Sequence, residues 1–201
     1  MSERETYLAT ARAFADQVRR LPLEAYDGPG LGDWDLRALV GHASRSLVTV
    51  LTYLDQPADE ATVRSAADYY LAIGGPDIAV GDVTARGIAA GAAMGEDPVG
   101  FVDGLLADVT SKLAAYDDEF VLTTIAGGMR LQAYFPTRTF ELVVHGLDIA
   151  HATGVSLDLP DHAVAEAVAL AGNVAARTGR GPDLLMALTG RQPLPDGFSV
   201  V

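Results

Sequence analysis

One short segment, Arg138-Thr-Phe-Glu-Leu-Val-Val-His-Gly-Leu-Asp148, carries residues able to hold a metal ion or move a proton. Arg138, Glu141, His145 and Asp148 follow one another at steps of three, four and three. On a helix of about 3.6 residues per turn they share one face. Glu141 and His145 are four apart, which brings their Cβ atoms to roughly 5–6 Å. A carboxylate oxygen and an imidazole nitrogen could then hold one ion between them. The surrounding Phe140, Leu142, Val143, Val144, Leu147 and Ile149 are apolar, as in a buried helix. Buried Glu, His and Asp need partners, because stranding them away from water is costly. The competing reading is the solvated face of a surface helix, the commonest reason for polar residues at this spacing. Asp148, one turn beyond His145, could orient that ring. Arg138, one turn before Glu141, could hold its carboxylate or an anionic substrate. For both, the alternative is an ordinary surface ion pair.

A third candidate ligand, His42, lies on a different segment, beside the apolar stripe Leu36, Leu39, Val40, Ala43, Leu47, Val50, Leu51 and Leu54. A lone histidine there is more often a hydrogen-bonded boundary residue than a ligand. With Glu141 and His145, however, it makes two histidines, one carboxylate and an open position, the usual make-up of a catalytic zinc site. The same trio can hold non-haem Fe(II). The chain has no cysteine, which excludes disulfides, cysteine nucleophiles and thiolate–metal sites. His151 is six residues beyond His145 and so turned about 240° around the helix, and His162 opens another helix. Neither is expected as a fourth ligand.

The elements that must position these residues follow from periodicity and punctuation. Tyr7, Leu8, Ala11, Phe14, Ala15 and Val18 stripe a first helix over residues 4–20, closed by Arg19 and Arg20 and stopped by Leu21-Pro22. Asp35 is a good N-cap for a second helix reaching Leu54, with Trp34 and Leu39 as a hydrophobic staple. Residues 56–95 are the least regular. A helix is expected over 61–73, broken by Gly74-Gly-Pro76, and another from a cap at Asp77 to about Met94. Gly81, Gly87 and Gly91 in it suit either close packing or an adaptable wall over a pocket. Asp97-Pro98 starts a clean helix that ends at Asp117-Asp-Glu119. Residues 120–125 are expected to be extended and Gly127-Gly128 to turn the chain. Met129 to Phe135 is expected to lead into the helix bearing Glu141 and His145, with Pro136 near its first turn. A further helix runs over 162–177, a short turn over 183–188, and then an extended tail. Four longer helices with two shorter ones between them predict an all-α fold, an antiparallel four-helix bundle with a long crossover and additional short helices. Residues 1–201 are expected to form a single domain, its metal site between the helices near 35–55 and 137–153.

Composition narrows the partners. The net charge is −13 over 201 residues, which argues against nucleic acid. No basic amphipathic segment points to a membrane surface, and no apolar run approaches the roughly 18 residues of a membrane span. The N-terminus lacks an apolar signal region, so a cytoplasmic protein is expected. Leu- and Val-rich helices could offer a homodimer face.

Two motifs, in order and at matching spacing, carry a family resemblance. Trp34-Asp-Leu-Arg-Ala-Leu-Val-Gly-His42 resembles the Trp…Gly-His element of the DinB-like, mycothiol-dependent maleylpyruvate isomerase superfamily, and the 138–148 segment resembles its second hallmark. Thr189-Gly-Arg-Gln-Pro-Leu-Pro is similar to a tail common among its shorter members. The resemblance implies an antiparallel four-helix bundle and a metal, usually zinc, on His42, Glu141 and His145. It also implies a source in the actinobacteria, which make mycothiol, and the Ala/Gly/Arg-rich composition suits that. The isomerase itself carries a further C-terminal domain, whereas only a short tail follows Gly181 here. The metal site therefore transfers from the resemblance more directly than the substrate.

The resulting expectation is a metal-dependent enzyme, with zinc as the leading ion and nickel or iron as alternatives. It would activate a low-molecular-weight thiol such as mycothiol for isomerisation of, or S-transfer to, a small electrophile. A non-catalytic metal-binding or regulatory bundle, and a zinc hydrolase using metal-activated water, are the other readings.

Overall fold

A computed structural model describes residues 1–74 and 83–201. The fold is all-α apart from one small hairpin, as the periodicity predicts. Helices begin where a side chain satisfies the free N–H groups of the first turn. Ser2 and Glu5 form a reciprocal capping box on α1 (Glu3–Arg19). Asp35 accepts from the Ala38 N–H at 2.7 Å to open α2 (Leu36–Tyr53). Ser65 caps α3 (Ala66–Ile73) through the Asp68 N–H at 3.1 Å. Asp97 caps α5 (Pro98–Leu113), whose first residue is proline. Between α3 and α5 lies α4 (Val83–Ala93). The expected cap at Asp77 and the glycine at Gly81 fall outside the described residues.

The bundle consists of α1, α2, α5 and α6 (Leu131–Thr153), with α1 and α2 each packed against both α5 and α6. Its interior is lined by Phe14, Leu39, Leu47, Val102, Val109, Phe135 and Leu142. The long connection from α2 to α5 carries α3 and α4. The glycines of α4 serve close packing: a Cβ on Gly91 would crowd the Ala38 backbone of α2, and one on Gly87 would overlap the Trp34 indole. Helix α4 also supplies wall to a cavity, so both uses expected of its small residues apply.

Three boundaries differ from the sequence expectation. The helix expected over 61–73 begins only at Ala66, because the Val63 N–H is spent on the Gly128 carbonyl at 2.9 Å. The turn falls at residues 125–126, and Gly127 and Gly128 open the return strand of the hairpin β1 (Val121–Thr124) and β2 (Gly127–Arg130). Gly127 has φ +122°, and a Cβ on Gly128 would collide with the Glu60 carbonyl. Helix α6 starts at Leu131, so Pro136 sits in its second turn. The lost N–H bond is offset by complete burial of Tyr134 and Phe135 beside it.

Beyond the bundle, α7 (Asp161–Arg177) packs on α6, and α8 (Gly181–Leu188) packs on α7. Among the described residues, no helix is long and apolar enough to cross a membrane.

Candidate metal centre

The contact between α2 and α6 places His42, from the second turn of α2, opposite Glu141 and His145 near the middle of α6. One potential ligand atom from each lies within 4.8 Å of the others. Glu141 Oε2 and His145 Nε2 are 3.3 Å apart. The His42 and His145 rings meet edge to face, with centroids 4.9 Å apart and planes at 88°. The Trp34 ring lies on His42 at 4.6 Å and donates its N–H to the Thr84 carbonyl of α4 at 3.0 Å.

This donor set fits a divalent ion. Bonds of about 2.0–2.1 Å meeting at a tetrahedral centre put neighbouring donors roughly 3.3–3.4 Å apart, and the Glu141–His145 separation matches that edge. His42 Nδ1 is buried and has no hydrogen-bond partner among the described residues. Such an orphan is uncommon unless something outside the protein completes it.

The two α6 residues are each held by a further side chain. The Tyr70 hydroxyl of α3 donates to Glu141 Oε1 at 2.6 Å. Asp148 Oδ2 lies 3.1 Å from His145 Nδ1, which fixes the ring and leaves Nε2 toward Glu141. Burial alone would raise the Glu141 carboxyl. The His145 hydrogen bond, the Arg138 guanidinium and the Tyr70 hydroxyl outweigh it and hold the group well below the usual carboxylate range. Burial alone would lower His145, but its bonds to Asp148 and Glu141 outweigh that and raise it above the ordinary value. His42 has no such partner, so burial and the neighbouring His145 pull it down to about 4. Without an ion, a neutral His42 faces a His145 that keeps its proton beside the ionised Glu141.

Arg138 lies 7% exposed in the interior. Its Nε donates to Thr137 Oγ1 at 2.9 Å, and its guanidinium covers the Tyr69 and Tyr134 rings at 5.6 and 5.0 Å. No hydrogen bond or ion pair joins it to Glu141 among the described residues; Tyr70 takes that place. Arg138 lines a cavity of about 470 Å³ together with His42, Glu141, Arg45, Arg86 and Tyr69. None of the three arginines has a carboxylate partner among the described residues, and Arg86 Nε is buried without an acceptor. In a chain of net charge −13, three guanidinium groups around one cavity give it a lining locally suited to an anion. His151 is exposed, and His162 stands on α7; neither joins the cluster.

The sequence reading did not assign Tyr70, Arg45 or Arg86 to the site. Tyr70 stands 71 positions from Glu141, on a helix inside the irregular crossover, where no local spacing could link the two. Arg45 lies three residues beyond His42, so it is one turn along the same face of α2; that spacing was the available signal.

A four-helix bundle with a His₂Glu cluster between two of its helices defines a DinB-like protein. Residues 7–150 match the family described as mycothiol maleylpyruvate isomerase N-terminal domain, and the chain belongs to that family. The match takes in α2, α6 up to Ala150 and all three clustered residues, and it stops before α7, α8 and the tail. No curated protein and no solved structure matches the chain.

Proposed function

We propose that His42, Glu141 and His145 hold one divalent metal ion, zinc foremost. In this reading the chain uses the ion with a low-molecular-weight thiol, mycothiol, to isomerise or S-substitute a small anionic electrophile. The observation that carries the proposal is the ligand cluster, closed to 3.3 Å between Glu141 and His145 and opening onto an arginine-lined cavity. When bound, the ion supplies the Lewis acidity that keeps a thiol, whose ordinary pKa is near ~8.5, as its thiolate at neutral pH. The chain has no cysteine, so the sulfur arrives with the cofactor.

The chain's own residues do the rest. Tyr70 and Asp148 fix the Glu141 carboxylate and the His145 ring before any ligand enters, so little reorganisation is left for the reaction. Arg138, pinned between two tyrosine rings, presents a guanidinium to an anionic group, and Arg45 and Arg86 extend that recognition along the cavity. Tyr53, Tyr69 and Ile73 give the cavity a largely apolar wall. During sulfur addition to a double bond, rotation about the resulting single bond and expulsion of the sulfur, the arginines keep one end of the substrate fixed while the other turns.

Elemental analysis of the purified protein tests the metal. Alanine in place of His42, Glu141 or His145 is expected to remove most of it, and full metal content in all three variants overturns the assignment. Thiol-dependent turnover of a panel of electrophiles tests the activity. Stoichiometric metal without turnover would leave a metal-binding bundle that is not an enzyme.

A further inference from the structure

The wall of the arginine-lined cavity is not supplied by the bundle alone. Val201, at the far end of the tail that follows α8, lines it together with Val83 from the start of α4 and Ile125 from the hairpin turn. These three aliphatic side chains are 64%, 42% and 48% exposed, and they come from three separate segments. The tail therefore runs from α8 back to the site, although α7, α8 and the tail all lie outside the family match.

How the tail is held is unusual. Its first residues are bonded to α8: the Arg191 and Gln192 N–H groups reach the Met186 carbonyl at 2.8 and 3.3 Å. From residue 193 onward, every hydrogen bond among the described residues stays inside the tail: Phe198 N–H to the Pro195 carbonyl, and Ser199 with Val201. Val200, partly buried, packs against the core, and Val201 faces the cavity. Gly190 and Gly197 stand at φ +71° and +68°, a pivot on either side of the Pro193–Pro195 stretch. Half-burying Phe198 and Val200 returns little of the backbone entropy lost in ordering residues 193–201. The docked and released tails are thus closely balanced, and a ligand that touches Val201 biases the tail toward docking.

We propose that residues 198–201 form a detachable wall of the cavity, latched by Val200, which controls how quickly ligands enter and leave and limits the size of those retained. The inference rests on the cavity being a ligand site, and it does not depend on the metal.

The test uses two features of the chain: Trp34 is its only tryptophan, and it has no native cysteine. 1-Anilinonaphthalene-8-sulfonate, an anionic aromatic dye, is the cavity probe, and energy transfer from Trp34, which lies against His42, selects dye bound there. Val200→Asp and a truncation after Gln192 are expected to speed dye entry and release at least tenfold, with Val200→Ile behaving as the native chain. Separately, a fluorophore on Ser199→Cys is expected to lose transfer from Trp34 when Val200→Asp is added. Circular dichroism shows whether each variant keeps its helices, and the Ile variant separates loss of the latch from general damage. Equal dye kinetics in all four proteins, dye that binds none of them, or unchanged transfer to position 199 overturns the proposal. Failure of the metal reading would show in metal content and leave these measurements unaltered.

Discussion

Replacing Tyr70 with phenylalanine removes one atom from the site and tests how its geometry is held. The Tyr70 hydroxyl sits 2.6 Å from Glu141 Oε1, the length of a charge-assisted O–H···O⁻ bond. Its ring would stay in place, packed edge to face with Tyr69 at 5.6 Å and Phe140 at 5.4 Å, so the substitution opens almost no space. Among the described residues no other side chain donates to Glu141 Oε1. A hydrogen bond to a charged group contributes about 1.5–3 kcal/mol. Part of that loss falls on the metal-free protein, where the bond already exists. The remainder appears as a carboxylate free to rotate away from His145. Partners of this kind change metal affinity by about 10–100-fold, or roughly 1.4–2.7 kcal/mol. Competition for zinc against a chromophoric chelator should therefore show Tyr70→Phe binding 10–100-fold more weakly at neutral pH. Tyr69→Phe is the control: the Tyr69 hydroxyl does not contact Glu141, and less than a threefold change is expected. Native affinity in Tyr70→Phe, or an equal loss in Tyr69→Phe, would refute the claim that this bond positions the ligand.

Metal uptake is expected to release close to one proton at pH 7. His145 keeps its proton above its ordinary value, and His42, at about 4, is already neutral. Affinity should then fall as pH drops below the His145 value, at first about tenfold per unit for one competing proton. Calorimetry in buffers of different ionisation enthalpy counts the protons, and none released at pH 7 would contradict the His145–Glu141 pairing. Asp148→Asn removes the charge beside His145 Nδ1, so His145 should lose its proton at lower pH by NMR titration and metal affinity should fall about tenfold; an unchanged His145 titration would show that Asp148 does not act on the ring. Gly87→Ala drives a Cβ into the Trp34 indole, which should cost about 1–3 kcal/mol of stability and shift Trp34 fluorescence; a melting temperature equal to the native one would refute the close α4 contact.

Local structure was largely legible in the sequence, and long-range structure was not. Asp35 and Asp97 are caps by residue type and neighbourhood alone, and both make the expected bonds. The shared face of Glu141, His145 and Asp148 follows from helical spacing, and the 3.1 and 3.3 Å contacts along α6 reflect it. Pro136 misled because local punctuation was read without the packing of Tyr134 and Phe135, which carries the helix through it. Gly127 and Gly128 misled for a related reason: glycine marks a tight turn and a close backbone approach equally well, and here the approach to Glu60 decides. No spacing rule could bring His42 to α6. Its pairing with Glu141 and His145 came from the order of two motifs, while the arginine lining depends on α2, α4 and α6 meeting at one cavity.

The three clustered residues are not equivalent, and the difference follows from what each one touches. Glu141 and His145 share a helix, stand 3.3 Å apart and are each gripped by another side chain, Tyr70 or Asp148. Their relative placement is built into α6 and its immediate contacts. His42 belongs to another helix, touches the Trp34 ring at a tilt and the His145 ring edge to face, and has a buried ring nitrogen with no partner among the described residues. The cluster as a whole spans up to 4.8 Å, wider than the α6 pair, so any adjustment needed to hold the proposed ion would fall to His42. Ring contacts permit that movement, since shifting one ring against another costs less than breaking a directed hydrogen bond. Trp34 in turn is positioned by α4, through Gly87 and the Thr84 carbonyl. The same helix places Val83 and Arg86 in the cavity wall. A displacement of α4 would therefore reach His42 through Trp34, and reach the cavity wall directly through Val83 and Arg86.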